Sequence, residues 1–248
     1  MVVCDGGTLM NDMLSNIDRF SGVHKYNGVH ADQLVALTRG CGLTLPKMHV
    51  DLLLRSNGLE VFSGFYRIFG IAPTTRTDII GWNQKECWKF AWGNKCDGFL
   101  CFGESAFGDQ YCYQIESLQR DETSPVYLLD AVTMQPVQLE SSFAAFFENE
   151  LLRVAGEPYD EMAVLAHQRF GALPARVHLT YSPSLALGGE EKVENLQILD
   201  AATALIFHGD INRQLSDAQF DATLSAIEPY TDDLLRPRLR LLWSKQPS

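Results

Sequence analysis

The chain has 248 residues, 46% hydrophobic and 21% charged, with a formal net charge of −11. That length can bury a real core as one large domain or two modest ones. The acidic balance argues against a nucleic-acid binder, which needs Lys and Arg to neutralise phosphates, and favours a basic partner if the partner is a macromolecule.

The first residues, MVVCDGGTLMNDMLSN, carry neither the basic n-region nor the apolar h-region of a secretory signal. No run approaches the roughly 18 apolar residues of a spanning helix, so the expected location is the cytoplasm, away from membranes. Gly6, Gly7 and Gly22 break residues 1–29, read here as a loose N-terminal segment. HADQLVALTRGCG then shows a helix signal: Asp32 as cap, Leu34 and Leu37 on one face, Gly40 and Gly42 as stop. LPKMHVDLLLRSNG predicts a second helix, with Pro46 suited to the first turn and Asn57-Gly58 to a left-handed stop.

From Glu60 the period changes. EVFSGFYRIFGI is aromatic and β-branched and reads as strand. In CWKFAWGNKCDGFLCFGESAFGDQYCYQI, Trp88, Phe90 and Trp92 alternate, Gly93-Asn94 and Asp97-Gly98 mark turns, and alternation resumes through Tyr111 and Tyr113. PVYLLDA and MQPVQLE read as a further pair of strands. Short strands joined by tight turns imply an antiparallel meander.

Helix returns at SSFAAFFENELLRVAG, capped by Ser141 or Ser142, with Phe143, Phe146, Phe147, Leu151 and Val154 on its apolar face. EPYDEMAVLAHQRFG follows, with Pro158 near its first turn and Gly171 at its end. Periodicity does not decide between helix and hairpin for residues 196–207. The Arg-rich tail after Pro229 is expected to add a short surface helix or strand. The predicted class is α+β: N-terminal helices, a central antiparallel meander sheet, and C-terminal helices packed on it.

The candidate chemistry is sparse. The six cysteines (Cys4, Cys41, Cys87, Cys96, Cys101, Cys112) form no Cys-x-x-Cys pair and read as buried, reduced thiols. The six histidines (His24, His30, His49, His167, His178, His208) lack metal-helix spacing, so no metal and no cofactor is expected. The loop GESAFGDQ lacks the strand-turn-helix context of a phosphate loop, and Glu104 and Asp109 would repel an anion; it reads as a hairpin turn. No Gly-x-Ser-x-Gly elbow occurs, and no catalytic set emerges. Charge is uneven, however. Between Val126 and Asp210 stand twelve acidic residues against four basic ones. The alternatives are a solvated face or a docking face for a basic protein.

Two resemblances follow from these residues. LPKMHVDLLLRSNGLEVFSGFYRIFGI, Trp82, SAFGDQYCYQ, PVYLLD and SSFAAFFENEL together resemble the SUKH superfamily, which joins yeast cell-wall-synthesis regulators to bacterial immunity proteins. That likeness spans residues 30–155, leaving 156–248 as a C-terminal extension packed on the same domain. In the extension, RFGALPARVHLTYSPSLALGGEEKVENLQILDA is similar to the C-terminal part of immunity proteins associated with type VI secretion, with Gly209-Asp210 interrupting the helix that would follow. Proteins of this kind are implied to bind a cognate toxin and block it without catalysis. The expected partner contacts are Asp97, Glu104 and Asp109 beside the sheet turns, with Glu157, Asp160, Glu161, Glu190, Glu191 and Glu194. A regulatory scaffold that binds a host protein and a thiol-dependent enzyme are the other readings.

Overall fold

The computed structural model describes residues 6–35, 42, 44–71, 77–118, 124–217 and 222–245. The first element is a helix, α1 (Gly6–Ile17). Met10, Met13, Leu14 and Ile17 recur at i, i+3, i+4 and i+7, and all four are buried in the central core. The N-terminal segment is therefore not loose over this span; the apolar stripe outweighs Gly6 and Gly7. Residues 31–35 are helical, and the remainder of the helix expected there lies outside the described residues. Helix α2 (Lys47–Arg55) starts directly after Pro46 and buries His49, Leu52 and Leu53. Asn57 has a second task beyond its turn: its side-chain oxygen accepts from the Ile71 N–H at 2.8 Å.

Among the described residues the main sheet has seven strands in strict chain order, all antiparallel: β1 (His24–Lys25), β2 (Leu59–Val61), β3 (Tyr66–Ile68), β4 (Phe99–Ser105), β5 (Gln110–Gln114), β6 (Val126–Leu129) and β7 (Pro136–Glu140). EVFSGFYRI is a hairpin rather than one strand, because Phe62, Ser63 and Gly64 all take positive φ and reverse the chain between β2 and β3. Trp88, Phe90 and Trp92 do not form a strand either. They sit in and beside a 3₁₀ turn (Lys89–Trp92), preceded by the short helix α3 (Ile79–Trp82). Trp88 and Trp92, four residues apart, are buried, while Phe90 is half-buried beneath the Arg236 guanidinium, 3.7 Å from its ring centroid. A period-2 aromatic pattern here comes from a tight helical turn.

A short helix, α4 (Ile115–Leu118), leads out of β5. After β7, Ser142 caps the next helix by accepting from the Ala145 N–H. Phe143–Phe146, Phe147–Leu151 (a π turn) and Leu152–Gly156 continue as one rod, α5, whose five predicted apolar residues are all buried. Phe102, Tyr113, Phe143 and Phe146 pack ring against ring beneath the sheet, with His49 stacked on Phe143 at 4.4 Å.

Helix α6 (Glu161–Phe170) starts at Asp160, whose side chain accepts from the Met162 and Ala163 N–H groups; its start is thus two residues past Pro158. Strands β8 (Val177–Tyr181) and β9 (Leu196–Asp200) form a separate antiparallel pair, and helix α7 (Ala201–Asp217) follows at once. Residues 196–207 are therefore strand, then helix. Gly209-Asp210 does not interrupt α7. Gly209 is where the helix passes the Ala91 backbone, so closely that a Cβ would lie 2.9 Å from the Ala91 oxygen. Asp210 is buried and held by Arg238 at 2.8 Å and by the Leu239 N–H at 2.9 Å. The tail is a long hairpin, β10 (Ala222–Thr231) and β11 (Pro237–Lys245), laid on α7. The whole is an α+β fold.

Candidate functional site

A buried polar joint helps to fasten the residues after Gly156 to the main sheet. Arg67 on β3 donates to Glu104 on β4 at 3.4 Å and to the carbonyls of Pro174 and Val177 at 2.7 and 3.1 Å. His178 on β8 reaches the other Glu104 oxygen at 2.9 Å. The Glu104 side chain is 0% exposed. Glu104, expected from the sequence to be a partner contact, is therefore no surface contact, because its charge is spent on holding β8 against the sheet. The Leu179 N–H, donating to the Ala106 carbonyl at 2.7 Å, adds a backbone link beside it.

Near this joint, β8 and the sheet turns line an open cavity of about 230 Å³. The β4–β5 turn supplies Phe107 and Asp109, the β6–β7 turn Asp130 and Ala131, and the start of α6 Asp160. Strand β8 supplies Thr180 and Tyr181, the β8–β9 loop Ser184 and Glu191, and α7 His208. The loop GESAFGDQ is a hairpin turn as expected, with Gly108 at φ +96° and close to His178. It also builds one wall of the cavity.

Each carboxylate is placed by its own local bonds. Asp109 accepts from Ser105 Oγ at 2.8 Å and from the Ala131 N–H at 3.0 Å, which ties the two turns together. Burial raises its carboxyl above the usual range, and these two bonds work against that rise. Asp130 closes its own turn, accepting from the Val132 and Thr133 N–H groups and from Thr133 Oγ1. Asp160 is held by its capping bonds at the start of α6. The Tyr181 hydroxyl is pushed up to about 12, first by burial and then by the Glu191 carboxylate, to which it is hydrogen-bonded. His208 donates from Nδ1 to the Ala131 carbonyl at 3.1 Å, and burial lowers it to about 4, so it is neutral.

Of the nine acids expected to meet a partner, Asp109, Asp160 and Glu191 line this cavity together. Glu157, Glu161, Glu190 and Glu194 are exposed nearby in sequence but do not line it, and Glu190 is paired with Lys192 at 2.7 Å. Asp97 is exposed, faces Lys85 at 3.7 Å, and belongs to a different, mainly apolar hollow beside α3 and β4. Asp130, Phe107, Tyr181 and His208 were absent from the expected site. Asp130 had a signal, since an acid at a strand end before Val-Thr closes a turn; the others are brought in by tertiary packing.

Among the described residues no group of three His, Cys, Asp or Glu side chains converges closely enough to hold a metal ion. Cys96, Cys101 and Cys112 are buried and Cys87 is half-buried; Cys4 and Cys41 lie outside the described residues. Burial pushes the Cys87 thiol up to about 11 and the Cys96 thiol up to about 12, opposite to what a nucleophilic thiolate requires. No helix among the described residues is long and apolar enough to cross a membrane.

Residues 28–149 match the SMI1 / KNR4 family (SUKH-1). That segment belongs to the SUKH superfamily. The SUKH segment thus contains the whole main sheet except the first two residues before it in the order of strands, β1, together with α2 and the start of α5. Among solved structures, the crystal structure of Atu4351 from Agrobacterium tumefaciens is similar to this chain with a TM-score of 0.52 at 13% identity, covering 78% of this chain and 86% of that one. The likeness is one of fold, and it reaches beyond the SUKH segment. No curated protein matches the chain by sequence.

Proposed function

We propose that the chain is a non-enzymatic immunity protein: it binds a cognate secreted antibacterial toxin and occludes it. Membership in the SUKH superfamily supports binding of a protein partner in general and is compatible with immunity. The observation that carries the reading is the cavity, in which Asp109, Asp130, Asp160 and Glu191 from four separate segments face one space. An acidic concavity at the junction of sheet turns and loop suits a basic protein surface, and such complementarity raises association rates by roughly 10–1000-fold. The raised thiols speak against the thiol-enzyme alternative. The type VI assignment rests on the segment Pro183–Gly189, whose Ser184 and Leu185 form part of the cavity wall.

The test is co-expression with the adjacent open reading frame in a heterologous host. We expect the neighbour to arrest growth alone, to be harmless with this chain, and to co-elute with it as one complex that weakens with added salt. A harmless neighbour, with this chain instead held in a stable complex with a host protein, would replace the toxin reading by the regulatory scaffold.

A further inference from the structure

Two cavities meet at His208. The acidic one is joined, across Thr180, Tyr181, Ser184 and His208, to a second of about 260 Å³ walled by Leu187, Ile198, Phe207, Ile211, Ile227 and Leu239. The charge lining the first is of one sign, with four acids and no Lys or Arg among the described residues. Its four carboxylates are acceptors, and His208, whose Nδ1 proton is committed to the Ala131 carbonyl, carries its lone pair on Nε2. The Phe107 and Tyr181 rings stand nearly parallel, 12° apart in plane with centroids 6.5 Å apart, and both line the space.

A wall with four carboxylates, whose other side-chain hydroxyls (Thr180, Tyr181, Ser184) can donate or accept, calls for a cation rich in N–H donors. Phosphate is excluded by charge, and a bound metal ion by the spread of the carboxylates. An ammonium is a compact, strongly hydrated point charge. A guanidinium is flat, less hydrated, presents five N–H donors and stacks on aromatic faces. We infer that the acidic cavity is an arginine pocket: it receives the guanidinium of an arginine on the partner, while the adjoining apolar cavity receives a large apolar side chain next to that arginine. The identity of the partner rests on the toxin-binding reading above; the chemistry of the pocket does not.

The pocket is tested without any toxin by titrating the full chain with N-acetylarginine N-methylamide and N-acetyllysine N-methylamide, following amide shifts by NMR. The arginine compound should bind roughly tenfold more tightly, a difference typical of one good charge-assisted contact, with shifts centred on Ala131, Thr180, Tyr181 and His208. In the Asp160→Asn/Glu191→Gln double variant, arginine binding should fall about tenfold or more. Asn keeps the helix cap, so an unchanged melting temperature verifies that the fold is intact. Equal binding of the two compounds, or arginine binding indifferent to the double variant, overturns the pocket. N-acetyl-Arg-Leu N-methylamide should bind several-fold more tightly than its Arg-Gly counterpart, and equality overturns the apolar half. Rescue that fails while arginine still binds removes the toxin and leaves the pocket; rescue that succeeds while arginine does not bind removes the pocket alone.

Discussion

His178 Nε2 lies 2.9 Å from Glu104 Oε2, and both side chains are buried. With Arg67 on the other Glu104 oxygen, this contact joins the first strand after the SUKH segment to the middle of its sheet. Removing one member of a buried ionic group leaves the others without compensation, which typically costs about 3–5 kcal/mol. Glu104→Ala should therefore lower the melting temperature by about 6–20 °C in a chain of this size. The triple variant Arg67→Met/Glu104→Leu/His178→Phe should lose much less, because no charge is then stranded. A triple variant as unstable as the single one would show that packing, not charge, is decisive at the joint.

Partner binding should single out the cavity acids from their neighbours. Glu191→Lys places a cation in the acidic space and should weaken the complex by tenfold or more, mostly through faster dissociation with some loss of association rate at low salt. Glu161→Lys, one residue beyond Asp160 but outside the cavity, should change affinity less than threefold. Surface plasmon resonance at two salt concentrations separates the two. Equal losses would mean that diffuse charge, not the cavity, recognises the partner.

Acid should destabilise the fold through its buried histidines. Burial lowers His49 to about 3 and His208 to about 4. Below the unfolded value near 6.5 the unfolded chain binds protons that the folded chain refuses, so stability is full above that value and falls as pH drops toward 4. Each group contributes at most about 1.4 kcal/mol per pH unit over its window. Asp109, raised by its own burial, titrates in the opposite sense and offsets part of the loss in acid. Urea midpoints at pH 7 and pH 5 should differ clearly, and His49→Gln should reduce that difference. A flat profile would mean that both histidines protonate without unfolding.

Gly209→Ala makes a counterintuitive case. In an exposed helix interior Ala gains up to about 1 kcal/mol over Gly. Here the added Cβ would stand 2.9 Å from both the Ala91 oxygen and its Cβ. The backbone must move, so we expect a loss of about 1–3 kcal/mol, read from denaturant unfolding. A gain would mean that α7 and the 3₁₀ turn separate freely.

Much of this architecture was legible from local pattern. The meander after Phe99, the Ser142 cap and the apolar face of α5 follow from period, cap and turn chemistry, and the SUKH likeness came from the same residues. Two misreadings came from weighting punctuation above periodicity. Gly6-Gly7 hid the i, i+3, i+4, i+7 stripe of α1, and Gly209-Asp210 was taken as a break because nothing local reveals Arg238 or Ala91 as partners. The site was half legible. Acid clusters were visible, but burial was not: Glu104 and Asp109, five residues apart on one hairpin, lie respectively inside the joint and at the cavity wall. His208 and Tyr181 reach the cavity only because β8 and α7 fold back over the turns.

The cavity has an uneven ancestry of parts. One side comes from tight sheet turns whose side chains bond their own backbone, and there most substitutions would cost the fold. The other comes in part from the 182–195 connection, with its short Leu185–Leu187 and Val193–Asn195 turns and side chains that are exposed or half-buried. Loops of that kind accept replacement and insertion at little thermodynamic cost. Under the proposed function, a lineage could therefore exchange one partner for another by rewriting about a dozen residues while inheriting Asp109 and Asp130 unchanged.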